Sequence, residues 1–290
     1  MVIVTGTKRS GTSLWMRMLV EGGLDHIGER FPSTWGESIR EANPNGFYES
    51  RLRRGVYFAT NPDPRNGRYL RAADTHKVAV KVFIPGVVRT ERAYLHRVVA
   101  TLRTWRSYAR SMARLDAHEE AWVAKNPRKG EAPEQAVARL RASRSPLPAP
   151  IEWFLENYEL VRDFAVRRYP IHFVTYERLL ADPDATLDKV FDWIGTGDPG
   201  PAKGVIDPAL RRSPSMKPVP SEASVGTEEI RLFDAFYEAI HESSTIPKSL
   251  VEPLNATWKR LSEAHGRKDT RERAASDEVP ELDPPPPSAA

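Results

Sequence analysis

Val2-Ile3-Val4-Thr5-Gly6-Thr7-Lys8-Arg9-Ser10-Gly11-Thr12-Ser13-Leu14-Trp15-Met16-Arg17-Met18-Leu19 is the stretch that decides the fold. Val2, Ile3 and Val4 form a short apolar, β-branched run, the pattern of a strand covered on both faces. Gly6 to Ser13 then turns the chain. Leu14, Trp15, Met18 and Leu19 follow at helical spacing and mark the buried side of a helix. A strand, a glycine loop and a helix in this order aim backbone N–H groups and the positive end of a helix dipole at one point, which suits a phosphate. The plainer alternative is a glycine turn with surface cations.

Working outward, the loop keeps part of the triphosphate-binding pattern G-x-x-x-x-G-K-[ST]. Gly6 and Gly11 have its spacing and Ser13 its hydroxyl, but Thr12 holds the lysine position. The cations come earlier, as Lys8 and Arg9, and suit a shorter anion seated on the loop. The order Arg9-Ser10-Gly11-Thr12-Ser13 resembles the 5′-phosphosulfate loop of the PAPS-dependent sulfotransferases, [KR]-S-G-T-[ST]. (PAPS is 3′-phosphoadenosine 5′-phosphosulfate, the sulfuryl donor.) The resemblance implies a three-layer P-loop-type α/β fold with a central, mainly parallel sheet flanked by helices. It also implies PAPS as co-substrate, no metal, and Lys8, Arg9, Ser10, Gly11, Thr12 and Ser13 around the 5′ end of the donor.

At 290 residues the chain has room for one large α/β domain or two small ones. A net charge of +4 gives no sign of general nucleic-acid binding. The absence of cysteine excludes disulfides, thiolate catalysis and cysteine metal sites. The chain opens directly on the first strand and holds no apolar run of membrane-spanning length, so the expectation is a cytoplasmic protein without a membrane span. Residues 1–265 read as a single domain. The charged, proline-rich stretch 266–290 reads as a disordered tail.

Further stretches carry the same resemblance in chain order. After a polar, turn-rich region from Asp25 to about Thr75 has begun, Asn43-Pro44-Asn45-Gly46-Phe47-Tyr48-Glu49 is similar to the N-P-x-G-[FY]-[FYW]-E segment of bacterial sulfotransferases. Val78 to Ile84 reads as a strand broken only by Lys81, which either faces a wet cleft or snorkels at the strand edge. The resemblance places a lysine here against the transferring group, although the histidine base of cytosolic members is absent. Arg97 to Leu102 reads as a strand running into a helix. There Arg103 and Ser111 match the arginine and serine that bind the donor's 3′-phosphate in the family, with Thr104-Trp105 replacing the usual Asn-Pro or Asp-Pro. Ile171 to Thr175 reads as a strand followed by Tyr176-Glu177-Arg178-Leu179, and the resemblance places Tyr176 near the adenine. Arg211 and Arg212 stand in a basic loop of the kind that closes the 3′-phosphate pocket, without the family's Arg-Lys-Gly triplet. Leu115 to Ala149 reads as a helical insertion, either a lid over the acceptor or a solvated excursion.

Sulfuryl transfer needs cations on the leaving oxygen and a base for the acceptor proton. Arg9 and Lys81 are the expected stabilisers. Sulfotransferases without the histidine use a loop glutamate, and Glu29 is the first choice for that base. Glu49 and Glu37 follow, then His76. The expected acceptor is a hydroxyl or amine on a small molecule, sugar or lipid. Two other functions stay open: a P-loop small-molecule kinase using ATP-Mg, and a non-catalytic nucleotide-binding protein on the same fold.

Overall fold

The computed structural model describes residues 1–32, 43–206, 217–243 and 245–267. Its centre is a five-stranded sheet of order β2-β3-β1-β4-β5, formed by β1 (Val2–Thr5), β2 (Asp25–Ile27), β3 (Val78–Lys81), β4 (Arg97–Leu102) and β5 (Ile171–Thr175). Every neighbouring pair is parallel, with Ile3 opposite Val80 on one side and opposite Val98 on the other. A parallel sheet must be covered on both faces, and the alternation of side chains shows how. Ile3, Val80, Val98 and Ala100 enter one apolar cluster, whereas Val2, Val4, Ala79 and Val99 enter the other.

The second cluster is closed by α1 (Thr12–Glu21) through Trp15, Met18 and Leu19. Further along the chain α7 (Pro183–Ile194) adds Leu187, Val190 and Phe191 to it. The first cluster is closed by α2 (Ile84–Arg89), α3 (Trp105–Lys125), α5 (Ala149–Arg167), α9 (Thr227–Ser243) and α10 (Lys248–Ala264). Trp153, Phe154, Phe233 and Phe236 meet there as an aromatic knot, Phe154 stacking on Phe233 at 4.5 Å. The remaining described helices are α4 (Pro133–Ala142), α6 (Tyr176–Ala181) and α8 (Pro199–Lys203). The result is the expected α/β architecture of helix, sheet and helix layers.

Several boundaries differ from the sequence reading. The apolar run from Val78 stops being strand at Lys81, and Ile84 already begins α2, with Pro85 in its first turn. Asp25–Ile27, placed in the turn-rich region, is the short edge strand β2. No helix break marks Leu115, because α3 runs unbroken to Lys125. The described chain continues to Arg267. Gly266 turns at φ 60 after α10, and Arg267 donates to buried Glu159 at 3.0 Å. Arg211, Arg212, Glu37 and residues 268–290 lie outside the described residues. Among the described residues no helix is long and apolar enough to cross a membrane.

Candidate functional site

All strands of a parallel sheet point their carboxyl ends the same way, and ligands of such sheets sit where the strand order reverses. Here β1 is central, with β2 and β3 on one side and β4 and β5 on the other. The segments leaving β1, β3, β4 and β5 carry Gly6–Ser13, Phe83, Arg103 and Tyr176, and they border one open cavity of about 1180 Å³. That volume suits a nucleotide-sized ligand.

The loop after β1 is held in an unusual backbone path. Gly6 (φ 153), Arg9 (φ 65) and Gly11 (φ 102) all have positive φ. A Cβ on Gly6 would lie 2.4 Å from Ser10 Oγ and 2.5 Å from the Thr101 carbonyl, so only glycine fits. Thr101 of β4 and Arg103 just after it hold the loop from the side. Thr101 Oγ1 donates to the Ser10 carbonyl at 2.9 Å, and Arg103 Nη1 donates to the Arg9 carbonyl at 2.9 Å. Gly11 is the N-cap of α1 and supplies no side chain to its first turn. The first N–H groups of a helix have no intrahelical acceptor, so those of α1 face the cavity as donors for an anion.

Lys8, Arg9, Gly11, Thr12 and Ser13 border the cavity. Ser10 does not. Its hydroxyl is buried and donates to the Thr7 carbonyl at 2.7 Å, so Ser10 builds the loop instead of lining the site. Arg103, Ser111 and Tyr176 also border the cavity. Arg103 lies over the Tyr176 ring at 4.9 Å and donates from Nε to Ser107 Oγ at 3.1 Å. Ser111 Oγ accepts from Arg9 Nε at 3.4 Å. Ser111 therefore meets the first loop through Arg9, and the hydroxyl that meets Arg103 is that of Ser107. Ser107 and Thr101 were not singled out from the sequence; a hydroxyl one turn into α3, four residues past Arg103, was the available signal.

Against the first turn of α1, the cavity wall holds a buried ion pair. Lys81 Nζ lies 2.5 Å from Glu49 Oε1, and it donates to Ser13 Oγ at 3.1 Å and to the Phe47 carbonyl at 3.2 Å. These three contacts use all the protons of an ammonium group. Burial holds the Lys81 amine below its ordinary range, and the Glu49 carboxylate opposes that shift. Glu49 Oε2 is also buried and has no hydrogen-bond partner among the described residues. A buried, unsatisfied carboxylate oxygen on a cavity wall is poised to accept a proton or a hydrogen bond from a ligand.

Glu29 is placed otherwise. It is exposed and does not border the cavity. Its backbone pairs with that of Glu49, Glu29 N–H donating to the Glu49 carbonyl at 2.9 Å and Glu49 N–H returning 3.1 Å to Glu29. Glu29 thus fixes the segment that carries Glu49, and of these two candidate bases it is Glu49 that borders the cavity. His76 packs edge-on against His96 at 3.6 Å and is not on the cavity wall.

The insertion is a wall of the cavity, not a free excursion. Asp116, Glu119, Glu120, Arg144 and Leu147 all border it. Arg144 ties α3 to the segment after α4, pairing with Glu120 at 2.6 Å and with Asp116 at 3.2 Å. No protein-family model, no curated protein and no solved structure matches this chain.

Proposed function

We propose that the chain is a sulfotransferase that moves a sulfuryl group from PAPS to an acceptor hydroxyl or amine. The observation that carries this is the pairing of two features on the wall of one cavity. One is an uncapped helix N-terminus on a glycine loop with Arg9, Arg103 and Ser111 beside it. The other is Glu49, with an unsatisfied carboxylate oxygen, held by Lys81, which also donates to Ser13 of that helix. The donor supplies the sulfur–oxygen bond that breaks, its electron pair leaving on the phosphate as the acceptor oxygen or nitrogen bonds to sulfur.

The residues around the cavity fit such a donor. The α1 N–H groups with Arg9, Thr12 and Ser13 hold the 5′ phosphate end. Arg103 and Ser111 hold the second phosphate, and the Tyr176 face borders the base. Each charge-assisted hydrogen bond of this kind contributes roughly 1.5–3 kcal/mol. Glu49 accepts the proton of the attacking group at Oε2. Lys81 orients Glu49 and Ser13. Exchanging its Phe47 carbonyl contact for a sulfuryl oxygen brings the ammonium to the developing charge. Thr12 in the lysine position weighs against a triphosphate.

The test is calorimetric titration with adenosine 3′,5′-bisphosphate beside ATP with Mg²⁺. Tight binding of the bisphosphate, weakened by about tenfold or more in Arg103→Ala, is the expected result. Preference for ATP would favour the kinase, and binding of neither would favour a non-catalytic role.

A further inference from the structure

Beside the transfer cavity, and sharing Lys8, Arg53, Arg54, Phe83 and Glu152 with it, is a smaller pocket of about 240 Å³. Its floor is Pro85 and Gly86 at the start of α2, and Arg89 closes it from the same helix. A tight backbone contact builds it. The 3-10 turn Arg51–Arg54 lies directly on α2, where a Cβ on Gly86 would meet the Arg53 carbonyl oxygen at 2.7 Å and one on Gly55 (φ 111) the Gly86 oxygen at 2.4 Å. Two glycines therefore let the turn press on the helix, and Arg53 and Arg54 are presented over the floor. The Phe83 N–H donates to the Arg53 carbonyl at 2.9 Å and locks that contact.

Four cations border this pocket, Lys8, Arg53, Arg54 and Arg89, against two carboxyls, Glu152 and Glu156. Lys8 and Arg54 are exposed, and neither makes a hydrogen bond or ion pair among the described residues. Glu152 is already engaged, accepting from Tyr108 Oη at 2.6 Å. Burial, with Glu152 nearby, pushes the Glu156 carboxyl up to about 8, so it is largely uncharged at neutral pH and the pocket keeps an excess of positive charge. Two exposed cations, Lys8 and Arg54, without an ion pair among the described residues in a concave site attract an anionic group.

We infer that this pocket seats an acidic group of the acceptor, a carboxylate or a phosphate or sulfate ester, beside the hydroxyl or amine presented to Glu49. The inference rests on the transfer function proposed above and adds the substrate class: an anionic acceptor, anchored by Arg54, Lys8 and Arg89. The volume admits one such group with a few attached carbons, and the rest of the acceptor lies in the larger cavity.

The experiment compares matched probes on protein saturated with adenosine 3′,5′-bisphosphate: 4-hydroxybenzoate against its methyl ester, glucuronate against glucose, and glucose 6-phosphate against glucose. Binding is read by ligand-observed NMR on wild type, Arg54→Glu, Arg54→Gln and Arg89→Gln, with a thermal melt of each. In at least one pair the acidic member binds wild type about tenfold more tightly than its neutral twin, and Arg54→Glu removes the difference. Bisphosphate affinity stays within about twofold in the Arg54 variants, because Arg54 belongs to the pocket and not to the donor loop. The pair that discriminates also tells a carboxylate from a phosphate. No preference for the acid in any pair, or a preference that survives all three substitutions, overturns the inference. If wild type does not bind the bisphosphate, the donor site is what fails, and the same pairs titrated without it still decide the pocket.

Discussion

Two strand-to-helix turns stand side by side at the carboxyl ends of β1 and β4, and they solve the same problem in opposite ways. Each must deal with the orphan N–H groups at the start of a helix. After β4, Thr104 closes the turn from within: its side chain accepts from the Ser107 N–H, and Arg103 is engaged by Ser107 and by the Arg9 carbonyl. After β1, Gly11 offers no side chain, and positive φ at Gly6, Arg9 and Gly11 keeps the turn open. A self-capped helix start is a strut, whereas an uncapped one on a glycine loop is a receptor. The strut also holds the receptor, through Thr101 and Arg103.

The contrast can be broken or sharpened, beginning with the largest effect. In the proposed transfer, the acid beside the open turn takes the acceptor's proton. Glu49→Gln is expected to lower turnover by about 10² to 10⁴ while bisphosphate affinity holds, and Glu29→Gln to leave turnover at the wild-type level; stopped assays beside calorimetry measure both. Next, Gly6→Ala forces a Cβ against Ser10 and the Thr101 carbonyl, and bisphosphate affinity should fall by about tenfold or more as the loop shifts. Thr104→Ala strikes the strut. It removes a cap worth about 1 kcal/mol, with a melting temperature lower by about 2–4 °C, and leaves affinity nearly unchanged.

The smallest effect concerns pH. Burial and Glu152 raise Glu156 from 4.5 to about 8, so the folded chain holds a proton that the unfolded chain releases above 4.5. The folded state binds more protons in that window, and stability therefore falls as pH rises from about 4.5 to about 8. Glu156→Gln should raise the melting temperature by a few degrees at pH 8.5 and by less at pH 5, as scanning calorimetry will read.

Much of the fold was legible because its signals are local. The β-branched run at Val2–Val4, the glycine pair and the stripe of Trp15, Met18 and Leu19 each act within a few residues. The edge strand β2 was not legible, since Asp25 and His26 are exposed and the element exists only by pairing with β3. The end of β3 was hidden for the opposite reason, because Val82, Phe83 and Ile84 continue an apolar run that a buried helix start also satisfies. Ser10 carried the motif's hydroxyl, yet the turn directs it inward to Thr7.

The two candidate bases show the limit most clearly. Glu29 and Glu49 both follow the glycine loop at plausible distances along the chain, and spacing gives no ground to choose between them. A two-residue backbone bridge joins them, and the fold leaves Glu29 in solvent and buries Glu49 against Lys81. The sequence by itself determined where the chain turns back on glycines and which faces are apolar, because backbone freedom and hydrophobic periodicity are properties of neighbours. Only the tertiary structure decided which carboxylate meets the lysine, and that Arg53, Arg54 and Arg89 border one pocket. Burial and charge pairing depend on contacts between residues far apart in the chain.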